Sequence, residues 1–236
     1  MIKGLIFWDW TGTLADESAL DHAVCRAMEE AIAHQKQLSR QEAAQLFQAY
    51  LRQLEGTWPW HDYLLHARHF NLDWRQPQEK NLHLLRLLPG TEEVLRKAKS
   101  LGYLNILATN AVRAVIELRL QKAGIKDLLD DIITSDQVEA LKSSGRHFLV
   151  GLQKWSVSPA QALSVGDNPI QDILSAQQVG LKTVYAVFGE NLTHYHSPHI
   201  SANHRQRVQA DFQIHSLLEI IPILASENIL KEAVHE

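Results

Sequence analysis

The sequence is poor in cysteine and has no long apolar run. Its 236 residues include one cysteine, Cys25, which excludes a disulfide framework and a cysteine-based zinc finger. No apolar run approaches the roughly 20 residues that a membrane-spanning helix needs. The N-terminal apolar run stops at Asp9 and lacks the charged lead and cleavage site of a signal peptide. We therefore expect a cytoplasmic protein that has no membrane partner.

An excess of positive charge is also missing. The chain has 23 Lys and Arg residues against 27 Asp and Glu residues, a formal charge of −4. Without a basic surplus to hold a phosphate backbone, nucleic acid is not an expected partner. Hydrophobic residues make up 45% of the chain and charged residues 21%, which excludes general disorder. At roughly 150 residues per domain, the length predicts one or two domains.

The hydrophobic pattern divides the chain into two kinds of segment. Residues 2–8 form a continuous apolar run that predicts a buried strand. Helical periodicity then fills residues 17–88 and indicates about four helices, with breaks at residues 56–59 and at residues 76 and 77. From residue 91 onward strands and helices alternate. Predicted helices cover residues 91–101, 111–123, 146–155, 169–179 and a segment from 216, and predicted strands cover 103–108, 131–134, 162–165, 183–187 and 211–214.

Strands that alternate with helices predict an α/β fold with a Rossmann-like parallel sheet. The helical block interrupts this pattern after the first strand. We therefore expect a core domain of residues 1–15 and 89–236, and an inserted all-helical cap domain of residues 16–88, with a hinge where the two meet.

Polar side chains lie where the predicted strands end, at the sheet edge that binds ligands in open parallel sheets. They are Asp9, Thr109 with Asn110, Lys142, and Asp167 with Asp172. Three carboxylates in one crevice cannot all remain ionised without compensating positive charge. Mg²⁺, a hard cation that takes carboxylate and phosphate oxygens, would provide that charge together with Lys142.

These segments resemble the four signature motifs of the haloacid dehalogenase-like (HAD) superfamily. The first is Asp-Trp-Thr-Gly-Thr-Leu at residues 9–14, and the second is Thr109-Asn110 after an apolar strand. Lys142 resembles the third motif, and Gly-Asp-Asn-Pro-Ile-Gln-Asp at residues 166–172 resembles the fourth. The position of the helical insert resembles the type-1 cap of the phosphoglycolate phosphatase-like subfamily. Arg146 is the local alternative to Lys142, because Ser143 stands where relatives usually carry proline after the lysine.

The resemblance implies a Mg²⁺-dependent phosphatase or phosphotransferase that acts on a small phosphorylated metabolite. Asp9 would attack phosphorus and form an aspartyl-phosphate. Asp9, Asp167 and the Thr11 carbonyl would hold the metal, supported by Asp172. The remaining roles concern the phosphoryl group: Lys142 would neutralise its charge, and Gly12, Thr109, Asn110 and the amides that begin the helix at Ala111 would bind its oxygens.

Position 11 departs from the family pattern. Relatives carry an aspartate there as general acid and base, and a threonine hydroxyl cannot replace a carboxylate in that role. The substitution predicts slow turnover, a preference for leaving groups that need no protonation, such as acyl phosphates, or a long-lived aspartyl-phosphate. A water or a histidine from the cap or a loop is the alternative proton donor.

Three other functions are compatible with the sequence. A 2-haloacid dehalogenase also lacks the aspartate, but it needs no metal motif such as residues 166–172. A phosphonoacetaldehyde hydrolase (a phosphonatase) has a similar first motif, but it requires a lysine in the first half of the cap, where only Lys36 is present. The third is a non-catalytic phosphate-binding or regulatory protein that keeps the fold.

The substrate and the oligomeric state, monomer or homodimer, are not determined by these motifs. Trp58, Trp60 and His61 lie in a cap loop where relatives often place specificity residues, although the tryptophans could instead pack the cap helices together. A second loop carries His194, His196, His199 and His204. We interpret it as a solvated loop, with a lid over the crevice or a transition-metal site as the alternatives.

Overall fold

The structure, a computed structural model, describes residues 2–188 and 208–226. Its main sheet has six parallel strands in the order β5-β4-β1-β6-β7-β8. They are β1 (Gly4–Trp8), β4 (Tyr103–Thr109), β5 (Asp131–Thr134), β6 (Ala162–Gly166), β7 (Lys182–Ala186) and β8 (Phe212–Ile214). This arrangement confirms the predicted α/β fold with a Rossmann-like parallel sheet.

The central strand β1 is buried on both faces, which explains its unbroken apolar sequence. Alternate side chains belong to different clusters: Ile6 and Trp8 to one, Leu5 and Phe7 to the other. Because β4 and β6 pair with β1 on either side, the residues that follow these three strands meet at one sheet edge.

The core helices cover the sheet on both faces. They are α5 (Thr91–Ser100), α6 (Arg113–Ala123), α7 (Ser135–Val138), α8 (Arg146–Trp155), α9 (Ser175–Val179) and α10 (Ile220–Ala225). The predicted start of α6 at residue 111 is wrong by two residues, because the Ala111 amide donates to Thr109 Oγ1 at 3.2 Å. The predicted helix 169–179 is divided: Pro169–Leu174 is a π-helix and only the rest is α-helical.

Four α-helices follow β1, as the periodicity predicts. They are α1 (Ser18–Lys36), α2 (Arg40–Leu54), α3 (Tyr63–Phe70) and α4 (Arg75–Asn81). They pack around their own apolar cluster, which includes Leu20, Val24, Met28 and Phe47. The predicted break at residues 56–59 is confirmed. The break predicted at residues 76 and 77 is wrong, because Pro77 occupies the first turn of α4, where its missing N–H has no intrahelical acceptor.

A two-stranded antiparallel sheet lies where the helical insert leaves and rejoins the core. It pairs β2 (Ala15–Asp16) with β3 (Arg86–Leu87). Thr91 Oγ1 also donates to the Leu14 carbonyl at 2.8 Å, so the two segments that connect the helical insert to the core are held side by side. The division into core and cap at residues 15/16 and 88/89 stays a prediction. Within the described part of the chain, no helix is both long and apolar enough to cross a membrane.

Candidate active site

Asp9 lies at the carboxyl end of β1, and three groups fix it there. Its N–H donates to the Val165 carbonyl at 2.9 Å, which continues the pairing with β6. Thr13 Oγ1 donates to Asp9 Oδ2 at 3.3 Å, and Lys142 Nζ contacts Asp9 Oδ1. The carboxylate is thus oriented from both sides, as a nucleophile requires.

Asp9, Asp167 and Asp172 converge at this sheet edge, and we call these three residues the acidic cluster. Each offers a carboxylate oxygen, and the three oxygens lie within 4.8 Å of one another. Burial, with the nearby charges of Asp9 and Asp172, raises the pKa of Asp167 well above its usual range. Burial also raises the pKa of Asp172 to about 7, although Lys142 opposes the shift. When all three carboxyl groups are ionised, the site therefore carries more negative charge than Lys142 balances.

Lys142 lies inside this cluster with only 1% of its surface exposed. Its Nζ contacts Asp9 and lies 2.5 Å from Asp172 Oδ1 and 3.1 Å from the Ala108 carbonyl. Burial alone would lower the pKa of this lysine, but the two carboxylates outweigh it and raise the pKa. Arg146, the local alternative, is exposed and donates to the Val138 carbonyl at 3.2 Å. The geometry therefore favours Lys142 over Arg146.

Two glycines let the backbone approach the carboxylates closely. A Cβ at Gly12, where φ is +81°, would lie 2.5 Å from Asp167 Oδ2. A Cβ at Gly166 would lie 2.1 Å from Asp172 Cγ. Any side chain at either position would displace a member of the acidic cluster.

The π-helix after β6 positions Asp172. Asn168 caps it, and its Oδ1 accepts from Ile170 N and Gln171 N, both at 3.1 Å. Pro169 takes the first helical position, as the sequence predicts. Asp172 Oδ2 accepts from the Asn168 amide at 2.8 Å. Because its other oxygen contacts Lys142, this carboxylate is occupied on both sides.

The two residues of the second predicted motif, Thr109 and Asn110 at the end of β4, make different contacts. Thr109 lines the cavity beside Asp9, and its hydroxyl oxygen accepts from Ala111 N. The Thr109 proton is therefore available to a ligand, while the Ala111 amide is not. Asn110 Oδ1 accepts from Lys142 N at 2.8 Å and from Ser135 Oγ at 3.1 Å. The Asn110 side chain thus holds the Lys142 loop, and its phosphate-binding role stays a prediction.

A buried charged cluster, which sequence analysis missed, lies behind Thr11. Thr11 Oγ1 donates to Glu17 Oε1 at 2.8 Å. Arg119 Nη1 lies 2.8 Å from Glu17 Oε1, and Arg119 Nη2 lies 2.7 Å from Asp21 Oδ1. Burial raises the pKa of Glu17, and the charge of Asp21 adds to the shift, whereas Arg119 and the bond from Thr11 oppose it. Glu17, Asp21 and Arg119 form what we call the acidic triad.

Two further side chains form hydrogen bonds with the acidic triad. Tyr63 OH donates to Asp21 Oδ1 at 2.9 Å, and Arg119 Nη2 donates to Gln78 Oε1 at 3.1 Å. A sequence signal exists for Asp21 alone, because it shares the buried face of α1 with Leu20, Val24 and Met28. The contact with Arg119, 98 residues away, has no local signal.

A cavity of about 160 Å³ is lined by Asp9 and Asp167 and by residues of helices α1, α2 and α3. Of the three predicted cap residues, Trp60 and His61 line it and Trp58 does not. Burial lowers the pKa of His61 to about 4, with smaller contributions from His66 and Lys142. His61 is therefore neutral at physiological pH. The histidine-rich loop with His194, His196, His199 and His204 lies outside the described residues.

Comparisons with known proteins found phosphatases among the relatives of this chain. Over 240 residues the chain is 25% identical to glyceraldehyde 3-phosphate phosphatase of Pyrococcus furiosus, covering 98% of this chain and 97% of that protein. It is 27% identical over 139 residues to pyrophosphatase PpaX of Bacillus cereus, 58% of each chain. The crystal structure of an HAD phosphatase from Thermococcus onnurineus superposes with a TM-score of 0.79 at 26% identity, covering 94% of this chain and 98% of that one.

The family is established by a match over most of the chain. Residues 3–180, which contain all four motifs, match the haloacid dehalogenase-like hydrolase family. The chain therefore belongs to the haloacid dehalogenase-like hydrolases and is an enzyme.

Proposed function

We propose that the protein is a Mg²⁺-dependent phosphatase that acts on a small phosphorylated metabolite through an aspartyl-phosphate on Asp9. The observation that carries this proposal is the convergence of Asp9, Asp167 and Asp172 around Lys142. Relatives named as phosphatases of glyceraldehyde 3-phosphate and of pyrophosphate support it. Action in the cytoplasm, as a monomer or homodimer, belongs to the same proposal.

The residues present fit a magnesium ion. The candidate ligands are all oxygens, which Mg²⁺ prefers, and their charge exceeds that of Lys142. Asp9, Asp167 and the Thr11 carbonyl would hold the ion. Asp172, with its oxygens taken by Lys142 and Asn168 N, would support that shell from outside. When bound, the ion would neutralise the carboxylates and polarise the phosphoryl oxygens.

The first chemical step belongs to Asp9. One of its carboxylate oxygens forms a bond to phosphorus while the bond from phosphorus to the leaving oxygen breaks. Lys142 and the Thr109 hydroxyl stabilise the charge on the phosphoryl oxygens, and neither must move far because both already line the site. Water then hydrolyses the aspartyl-phosphate and releases inorganic phosphate.

Thr11 limits the substrates that react quickly. Its hydroxyl donates to Glu17 in this structure, so it offers no carboxylate to protonate an alkoxide leaving group. We therefore expect acyl phosphates and aryl phosphates to react faster than alkyl phosphates.

The structure gives no support to a phosphonatase. That reaction needs a cap lysine beside the substrate, whereas Lys36 is an exposed residue in the last turn of α1. A dehalogenase would leave the carboxylates at positions 167 and 172 without a role.

A phosphate-release assay tests the proposal. The protein should release phosphate from acetyl phosphate and p-nitrophenyl phosphate in the presence of Mg²⁺, and EDTA should abolish this activity. Asp9→Asn should lower the rate by at least about 10³-fold, since it removes the nucleophile. Asp127→Asn, at an exposed carboxylate of the core, is the matched control and should leave the rate unchanged.

Inactivity of the wild-type protein on a broad panel of phosphates would favour the non-catalytic alternative. Halide release from 2-haloacids in the presence of EDTA would favour a dehalogenase.

A further inference from the structure

The acidic triad forms one part of the cavity wall. Glu17, Asp21 and Arg119 all line the cavity, and the two carboxylates outnumber the one guanidinium. Whether or not Glu17 holds a proton, the acidic triad is at most neutral. A second anionic group on a substrate would therefore lie near a buried carboxylate with no net positive charge to balance it, and like charges brought together in a buried site repel strongly.

Arg119 is not available to bind a substrate carboxylate. Its two terminal nitrogens contact Glu17 at 2.8 Å and Asp21 at 2.7 Å, and Gln78 accepts from it at 3.1 Å. Only 2% of its side chain is exposed. Turning this guanidinium toward a ligand would leave two buried carboxylates unpaired, which is strongly unfavourable.

His61 is one of the polar side chains that line the cavity from the segment between β1 and β4. Its ring packs edge-on against Trp60, with centroids 4.8 Å apart. Across residues 2–188 and 208–226, its ring nitrogens have no hydrogen-bond partner in the protein. A neutral imidazole offers one donor and one acceptor, which suits a hydroxyl or carbonyl group. His66 differs, because its Nε2 already bonds to the Trp60 carbonyl at 3.0 Å.

The size of the cavity limits the substrate further. Its volume of about 160 Å³ is below the roughly 300–1,000 Å³ of pockets for drug-sized ligands. Phe47 and Leu51 form part of the wall, so the space beyond the phosphoryl group is partly apolar. The cavity suits a short carbon chain with few polar atoms.

We infer that the substrate is the monophosphate of a short, uncharged hydroxy or carbonyl compound, selected by His61 and by repulsion of carboxylates from the acidic triad. The inference rests on the proposed phosphatase function and specifies its substrate class. Phosphorylated hydroxy acids are poor substrates because their carboxylate would face Glu17 and Asp21.

Three phosphates that differ at one carbon test the charge selection. Glycerol 3-phosphate, glyceraldehyde 3-phosphate and 3-phosphoglycerate carry an alcohol, an aldehyde and a carboxylate at the same end. With Mg²⁺ present, we expect kcat/KM for the first two to exceed that for the acid by at least about tenfold. Equal or faster hydrolysis of the acid would overturn the inference.

Two variants assign the selection to residues. Asp21→Asn keeps an acceptor for Tyr63 but removes one negative charge, so it should raise kcat/KM for the acid relative to glycerol 3-phosphate about threefold or more. Glu30→Gln removes the same charge from an exposed position of the same helix and should not change the ratio. His61→Phe should lower kcat/KM for glycerol 3-phosphate to about the value for propyl phosphate, which lacks the hydroxyls. An unchanged ratio in both site variants would contradict the assignment.

A binding measurement separates this inference from the proposed function. If the wild-type protein hydrolyses none of these phosphates, the proposed phosphatase function fails. Calorimetric titration of the three phosphates into the Asp9→Asn protein with Mg²⁺ then decides the inference alone. Tighter binding of the alcohol and aldehyde supports it, and equal binding, preference for the acid or no binding overturns it.

Discussion

Thr11 is the residue at which this enzyme departs most from its family pattern. The hydroxyl donates to Glu17, whose carboxyl group is buried and paired with Arg119. An aspartate at position 11 would be next to that carboxyl group, so restoring a general acid involves both positions. A substitution at position 11 alone would place two carboxyl groups together.

Thr11→Asp combined with Glu17→Gln should raise turnover of an alkyl phosphate relative to acetyl phosphate. The expected increase in the ratio of kcat values is roughly tenfold or more, because only the alkyl leaving group needs a proton. Thr11→Asp alone should give a smaller increase. A fall in the ratio, in variants that remain folded by circular dichroism, would show that position 11 has another role.

Lys142 and Arg146 separate two interpretations of the third motif. Lys142→Met should lower kcat for acetyl phosphate by at least about 10²-fold, because Asp9 and Asp172 lose the cation between them. Arg146→Met should change kcat less than twofold, since that side chain is exposed. Steady-state assays at saturating Mg²⁺ measure both, and the opposite order would assign the motif to Arg146.

At the scale of elements, the acidic triad joins two segments of the chain. Arg119 comes from α6 and Asp21 from α1, and Glu17 is the N-cap residue directly before α1. Gln78 adds a contact from α4. These contacts tie helices that follow β1 to a helix that packs on the sheet, so the triad contributes to holding the cavity in its present shape.

Arg119→Met should therefore destabilise the protein by about 3–5 kcal/mol, because it leaves two buried carboxyl groups without their cation. Arg113→Met, on the same helix, breaks only a partly exposed pair with Glu117 and should cost about 1 kcal/mol or less. Urea unfolding of both variants gives the comparison. Equal losses of unfolding free energy in the two variants would mean that the acidic triad stabilises the fold no more than a partly exposed ion pair does.

The sequence predicted the elements that carry the active site because their signals are local. The apolar run before Asp9 and the capping pair Asn168-Pro169 each specify a short segment on their own. The helix break predicted at Pro77 is wrong, since proline breaks a helix in its interior but is tolerated in its first turn. The π-helical segment was not predicted either, because Asn168 and Pro169 indicate where a helix starts and do not specify whether it is an α-helix or a π-helix.

The acidic triad could not be predicted for a different reason. Glu17 and Asp21 lie four residues apart at the start of a helix, where acidic residues are common and usually solvated. Their partner Arg119 lies about 100 residues away, and only the tertiary fold brings it to them. A charge pair between distant residues does not alter the hydrophobic periodicity of a single helix, so the sequence pattern does not indicate it.

At the scale of the whole molecule, magnesium should stabilise the folded protein in a pH-dependent way. Burial raises the pKa of Asp172 to about 7, so the folded protein retains a proton that the unfolded chain has released. This contribution to stability is complete below the usual pKa of 3.8 and is lost as the pH rises through about 7. The metal-free protein should then suffer most from carboxylate repulsion near and above neutral pH.

The rise in Tm on adding Mg²⁺ should therefore be larger at about pH 8 than at about pH 5, where protons already occupy the site. Thermal unfolding with Mg²⁺ or EDTA at both pH values gives the result. Asp167→Asn should abolish most of the rise. A rise that is equal at both pH values would contradict a metal site built from these carboxylates.

The central claim is that Asp9 captures phosphorus, and chemical trapping of the intermediate tests it most directly. The protein is mixed with acetyl phosphate and Mg²⁺, quenched during turnover and treated with borohydride, which reduces an aspartyl-phosphate to homoserine. Peptide mass spectrometry should find homoserine at position 9 and no conversion when EDTA replaces Mg²⁺. Homoserine at another aspartate, or an unmodified Asp9 in a protein that is turning over, would contradict the account.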